Sequence, residues 1–188
     1  MAFENFNKKD SVIVVYTGDN KGKTSAGIGM MCRALGTGWN VAFVQFIKIW
    51  DVGEHQFIRD IMPVYKDKLI FYKGGIGFFD AGDLSVDASK KDHIKAAKQT
   101  YDFLLSTVVS GDNQLVICDE INNAVHDGLL TVDDLERLID LKHPNTSLCL
   151  TGRNFPEELI SKVDIVTNMT KLKHHFDDKI LANKGIDY

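Results

Sequence analysis

A strand that runs straight into a glycine turn and out again into a helix constrains this chain more than any other feature. Residues 11–17, SVIVVYT, form a β-branched apolar run, Gly18 follows at once, and Gly22-Lys23-Thr24 opens a helical pattern reaching Leu35 and stopping at Gly36. A strand that feeds a helix cannot pair with its successor through a hairpin, so parallel neighbours joined by crossovers are expected. The rest of the sequence repeats the alternation. Apolar runs at 40–47 (NVAFVQFI), 68–73 (KLIFYK), 114–120 (QLVICDE), 146–152 (TSLCLTG) and 163–169 (VDIVTNM) read as strands. Helical stretches are expected from Asp87 to about Val109 and from Thr131, where Asp134 stands three residues on. Another is expected with Pro156 near its first turn, where the missing N–H is harmless. Near-continuous apolar strands belong to a parallel sheet covered on both faces. The expected fold is therefore α/β and three-layered, a mainly parallel sheet with helices on both faces. Its strand C-terminal ends share one ligand-binding edge.

A chain of 188 residues without an internal repeat fits a single domain. Residues 1–10 read as a flexible N-terminal segment and 170–188 as a C-terminal tail packing near the site. The glycine-rich stretch 74–85 and the tail both read as loops over the functional edge. A net charge of −4 argues against a general nucleic-acid binder. No apolar stretch reaches the ~20 residues that span a bilayer, and MAFENFNKKD carries no apolar signal region. A cytoplasmic protein is expected. Cys32, Cys118 and Cys149 lack metal-like spacing and read as buried, reduced thiols. His126, His143, His174 and His175 give no zinc set, and the adjacent pair His174 and His175 is expected to point apart.

The first loop carries the chemistry. Phosphate-binding P-loops follow G-x-x-x-x-G-K-[ST], whereas only Asp19, Asn20 and Lys21 separate Gly18 from Gly22, one residue fewer. Its place between a first strand and a helix still marks a phosphate cradle, with converging backbone N–H groups backed by the positive end of the helix. Lys23 adds charge at the phosphates, Lys21 a second cation, and the Thr24 hydroxyl a ligand for Mg²⁺. The plainer reading is a tight turn bearing surface lysines. Asp119 and Glu120 end a buried strand, where ionised carboxylates are costly without a cation or donors. In P-loop proteins such a carboxylate completes the Mg²⁺ shell, and the plainer reading is a helix cap. Arg153 in TGRN and Lys48 in QFIK end two more strands on the same edge, where both can hold phosphate. The sum is a P-loop NTPase-like, RecA-like domain.

Taken in order, VVYTG, TGDNKGKTS, QFIK with Gly53-Glu54 after it, VICDE, LTGR and KHHFDDKILANKGIDY resemble the P-loop type of ATP:corrinoid adenosyltransferase, from about residue 12 to 188. That family's loop, T-G-x-G-K-G-K-T, has the same shortened spacing. The resemblance implies that ATP binds with its polyphosphate reversed in the loop, that the cobalt(I) of a corrinoid attacks the ribose 5′-carbon, and that triphosphate leaves. Cobalt(I) is itself the nucleophile, so no catalytic base is required. By the same resemblance Lys23, Glu120 and Arg153 are catalytic. Gly18, Asp19, Asn20, Lys21, Gly22, Lys23, Thr24, Ser25, Lys48 and Arg153 bind ATP. Thr24 and Glu120, supported by Asp119, hold Mg²⁺, and Phe78, Phe79 and Asp80 face the corrinoid. A flavoprotein reductant and a homodimer are the partners implied.

The sequence also departs from the family pattern. Asn20 stands where glycine is usual, Asp19 where asparagine is common, and Asp80 where a G-F-x-W arrangement has tryptophan. The segment before the first strand is shorter than in members where it folds over the site, so shielding of the corrinoid is expected to be weaker or supplied differently. The alternative reading is a P-loop ATPase or small-molecule kinase that cleaves the γ-phosphate. Asp80 motivates a third, a non-catalytic corrinoid or nucleotide carrier.

Overall fold

The apolar runs become the strands of one sheet in the computed structural model, which describes residues 4–77 and 88–188. Chain order is β1 (Ile13–Thr17), α1 (Lys23–Gly36), β2 (Val41–Gln45), α2 (Gly53–Tyr65), β3 (Leu69–Lys73) and α3 (Lys90–Ser110), then β4 (Leu115–Asp119), α4 (Ile121–His126), α5 (Val132–Asp140), β5 (Ser147–Thr151) and β6 (Ile165–Asn168). The six strands lie in the order β3-β2-β4-β5-β1-β6 and every pairing is parallel. The sheet is thus wholly parallel, and it has the architecture of a P-loop NTPase-like fold.

Strand alternation builds a core on each face. Val15, Ala42, Val44, Val116, Cys118, Leu148 and Leu150 pack with Tyr101 and Leu104 of α3, Ile121 and Ala124 of α4, and Leu135 and Leu138 of α5. The intervening Val41, Phe43, Leu115, Ile117 and Cys149 pack with Met31 and Leu35 of α1 and Ile58 of α2. Burial of each large side chain stabilises the fold by about 1.5–3 kcal/mol relative to exposure.

The order of the strands decides where chemistry can occur. β5 separates β1, which feeds the glycine loop, from β4, which ends in Asp119. Tyr16 pairs with Thr151 and Cys118 with Leu150, so the C-terminal ends of all three strands lie side by side.

Several expectations need correction. The helices α2 and α4 were not among the expected helical stretches. The segment after Pro156 is a 3₁₀ turn, Glu157–Lys162, with Pro156 at its cap. Cys32 is exposed, on the outer face of α1, whereas Cys118 and Cys149 are buried. Burial pushes the Cys149 thiol up to about 12 and raises that of Cys118 as well. Among the described residues no helix is long and apolar enough to cross a membrane.

Candidate functional site

Gly18 leaves β1 with φ 101°, a left-handed conformation that side chains disfavour. A Cβ there would stand 2.6 Å from the carbonyl oxygen of Met169. The loop crosses the end of β6 at this point, where Met169 N–H donates to Thr17 O at 2.8 Å and Asn20 N–H to Met169 O at 3.1 Å. Gly22, with φ 107°, precedes α1 and gives it no side-chain cap, and no acidic residue stands in the first helical turn. The unpaired amides of that turn therefore suit an anion. The buried Lys23 folds back, donating to Gly18 O at 2.9 Å and Asn20 O at 2.5 Å. Burial holds its ammonium below the usual lysine range against the pull of Glu120, with Arg153 adding to the depression.

Opposite the loop, the fully buried Asp119 is fixed from two sides. Gln45 Nε2 donates to Oδ2 at 2.7 Å, and the Thr151 hydroxyl donates to Oδ1 at 2.7 Å. Thr151 Oγ1 also accepts from Glu120 N–H at 3.1 Å. Gln45 is oriented in turn by His55, whose Nε2 lies 2.5 Å from Gln45 Oε1. Since Oε1 can only accept, His55 carries its proton on Nε2. Burial lowers the His55 pKa and the nearby Lys73 lowers it further, while Nδ1 accepts from Val52 N–H at 3.4 Å.

Glu120 turns the chain from β4 into α4 in the left-handed region, φ 62° and ψ 17°. A non-glycine residue there costs about 1–3 kcal/mol and marks a position that the surroundings enforce. Burial, then the adjacent Asp119, raises its carboxyl to about 7. The ammonium of Lys48 lies among these groups, 3.2 Å from Thr24 Oγ1, 3.6 Å from Glu54 Oε1 and from Asp119 Oδ2, and 4.0 Å from Glu120 Oε1. Burial alone would depress it, but Asp119, Glu120 and Glu54 together raise it. Carboxylates and a hydroxyl grouped in this way are the hard oxygen donors that Mg²⁺ takes.

The structure thus brings Thr24, Lys48, Asp119 and Glu120 together beside the loop. Ser25 is exposed in the first turn of α1. Arg153 follows β5, is exposed, and receives its backbone anchor from Asn123 Oδ1, 2.5 Å from its N–H. Its charge acts on both Lys23 and Glu120. Lys21 turns outward and pairs with Asp187 Oδ1 at 2.7 Å, while Asp19 Oδ1 accepts from Lys171 N–H at 3.3 Å. Phe78, Phe79 and Asp80 lie outside the described residues.

His174 and His175 do not diverge as the sequence suggested. The backbone is extended at His174 and enters a 3₁₀ turn at His175, which brings the rings edge to face at 4.7 Å. With Asp187 they offer ligand atoms within 4.8 Å of one another. Part of this donor set is already engaged within the chain. Phe176 N–H donates to His174 Nδ1, Asn183 N–H to Asp187 Oδ2, and Lys21 pairs with Asp187 Oδ1.

The ATP:corrinoid adenosyltransferase BtuR/CobO/CobP family matches this chain over residues 9–188. The chain belongs to that family. A corrinoid adenosyltransferase from Sinorhizobium is 33% identical over 180 residues, covering 94% of this chain and 80% of the relative. One from Pseudomonas aeruginosa is 32% identical over 179 residues, covering 94% and 83% respectively. The corrinoid adenosyltransferase CobA of Salmonella typhimurium is 28% identical over 178 residues, covering 94% and 85%.

In this member of the adenosyltransferase family, several residues of the site escape a reading of motifs. Gln45 and Thr151 stand within QFIK and LTGR, but their roles, like that of His55 on α2, come from hydrogen bonds between distant elements that no local pattern announces. Glu54 had a signal, its place just after QFIK. Asp187 lay in GIDY, but nothing in the sequence tied it to Lys21.

Proposed function

We propose that this chain transfers the 5′-deoxyadenosyl group of ATP to the cobalt(I) of a corrinoid, releasing triphosphate, in the making or salvage of adenosylcobalamin. The observation that carries the reading is the grouping of Thr24, Asp119 and Glu120 around one cation position, beside a loop one residue shorter than the usual phosphate cradle. Membership of the adenosyltransferase family supplies the chemistry of the acceptor.

In the transfer, the electron pair of cobalt(I) forms the bond to the ribose 5′-carbon. The C5′–O bond breaks, and its pair departs on the triphosphate oxygen. This chain's task is to gather and neutralise the leaving chain of phosphates. The loop amides left unpaired up to Ser25 cradle it, Lys23 turns from the loop carbonyls onto it, Lys48 and Arg153 close round its outer oxygens, and Lys21 joins them by exchanging Asp187 for phosphate. Thr24 and Glu120, with Asp119 behind them, would hold Mg²⁺, which supplies Lewis-acid charge to the leaving group when bound. Asp19 and Asn20 sit at the ribose end. Contact with the corrinoid is assigned to Phe78, Phe79 and Asp80 by resemblance to the family.

A flavoprotein that delivers electrons to the corrinoid, and a second copy of the chain, complete the assembly. Exposed Ile165 and Val166 on the edge strand β6, together with Leu172 and Ile186 of the tail, support self-association. A cytoplasmic setting fits the need for ATP and reductant. Incubation with ATP, Mg²⁺ and chemically reduced cobalamin or cobinamide should give the light-sensitive adenosylated product. Its absence with both acceptors would sink the reading.

A further inference from the structure

The point on which the oxygen donors of the site converge is filled by a group of the chain itself. Lys48 Nζ has Thr24 Oγ1 at 3.2 Å, Glu54 Oε1 and Asp119 Oδ2 at 3.6 Å, and Glu120 Oε1 at 4.0 Å, and its side chain is only 18% exposed. Three carboxylates face this one ammonium, while the charges of Lys23 and Arg153 also act on Glu120.

Lys48 does not reach this point on a relaxed backbone. Ile47 has φ 63°, and Lys48 N–H donates across it to Phe46 O at 2.6 Å, which makes a three-residue γ-turn with a β-branched residue at its centre. That conformation is rare and strained. It is held by its surroundings: Gly77 N–H donates to Ile47 O at 2.7 Å, and Gly75 lies so close to the Ile47 backbone that any Cβ there would overlap it. Lys48 and Glu120 are thus both delivered to the same point by left-handed turns at non-glycine residues, one on each side of it. Strain held in place in this way is characteristic of a position with a task.

We propose that Lys48 is the built-in occupant of the divalent-cation position, so that metal and nucleotide enter together and displace its ammonium onto the polyphosphate. The inference rests on the reading of Thr24, Asp119 and Glu120 as the metal's ligands. A divalent ion arriving alone must evict an ammonium that has nowhere better to go. Arriving with a polyphosphate, it brings the anion that takes the lysine over. Nucleotide-free protein therefore binds divalent ions weakly, and metal and ATP favour each other's binding.

The test is a titration of Mn²⁺, followed by its electron paramagnetic resonance signal, into nucleotide-free protein. Lys48→Met should bind Mn²⁺ at least about tenfold more tightly than the wild type, since a unit charge a few ångströms away has gone. Lys48→Arg keeps the charge and should bind no more tightly than the wild type. This second variant keeps the test decisive if the methionine variant does not fold. Unchanged or weaker binding by Lys48→Met, or tighter binding by Lys48→Arg, overturns the proposal. Glu120→Gln separates the two levels. If it weakens Mn²⁺ binding while Lys48→Met fails to tighten it, the metal site stands and only the role of Lys48 falls. If it leaves binding unchanged with and without ATP, the metal site itself is wrong and the proposal falls with it.

Discussion

The Lys21 ammonium stands 2.7 Å from Asp187 Oδ1, so the loop between Gly18 and Thr24 is tied to the tail. Asn183 N–H, then Lys21, hold the Asp187 carboxyl down to about 2, and the tie persists until acid protonates it. Asp187→Asn keeps the shape and removes the charge. Backbone amides of residues 183–188 should then exchange hydrogen faster, with little change in global stability, because the pair ties down the tail and not the core. Unchanged exchange in the tail would show that the pair holds nothing in place.

Thr151 links the two acidic residues, donating to Asp119 at 2.7 Å and accepting from Glu120 N–H at 3.1 Å. Thr151→Val keeps the volume and leaves a buried carboxylate oxygen and a backbone N–H without these partners. The expected loss is about 1–3 kcal/mol in urea unfolding. Mg²⁺-dependent ATP binding should weaken as well, since Asp119 loses one of its two anchors.

The pH dependence follows from Glu120. Its carboxyl rises from 4.5 to about 7 in the folded chain, through burial first and the neighbouring Asp119 second. The folded state therefore holds this proton more tightly than the unfolded chain does. The stability so gained is fully present below pH 4.5 and is lost as pH rises through about 7. Thermal melts of the free protein should show this decline between pH 5 and pH 8. Mg²⁺ with ATP should flatten it, and divalent affinity should rise over the same window, because bound metal displaces the proton.

Two glycines give opposite expectations. At Gly18, with φ 101°, a Cβ would press on the Met169 backbone at 2.6 Å, so Gly18→Ala should destabilise by about 1–3 kcal/mol and cost ATP affinity. Gly29 lies within α1 with nothing within 4 Å of an added Cβ. Gly29→Ala should stabilise by about 0.4–1 kcal/mol through the unfolded state. Equal effects in paired calorimetric melts would contradict the geometry assigned to the loop.

What could be read from the sequence was local. The run from Val14 into Gly18 and on to Thr24 announces strand, turn and helix within a few residues, and VICDE announces a buried strand ending in acid. Near-continuous apolar strands alternating with helical stretches were enough to expect a sheet with two covered faces. Contacts that link distant strands left no such trace. Nothing near Gln45 or Thr151 says that both will grip Asp119, and the left-handed turn at Ile47 has no glycine to mark it. Cys32 misled because a helical pattern alone does not say which face is outward. His174 and His175 misled because adjacent residues diverge only where the backbone stays regular.

Phosphorus NMR of a single turnover tests the adenosyl transfer most directly, because it identifies what leaves ATP. With Mg²⁺·ATP and a chemically reduced corrinoid, the expected result is intact triphosphate formed one for one with adenosylated corrinoid. Lys23→Ala should suppress both together. Orthophosphate or a phosphorylated acceptor appearing instead, with the corrinoid left unalkylated, would contradict it and point to cleavage at the γ-phosphate.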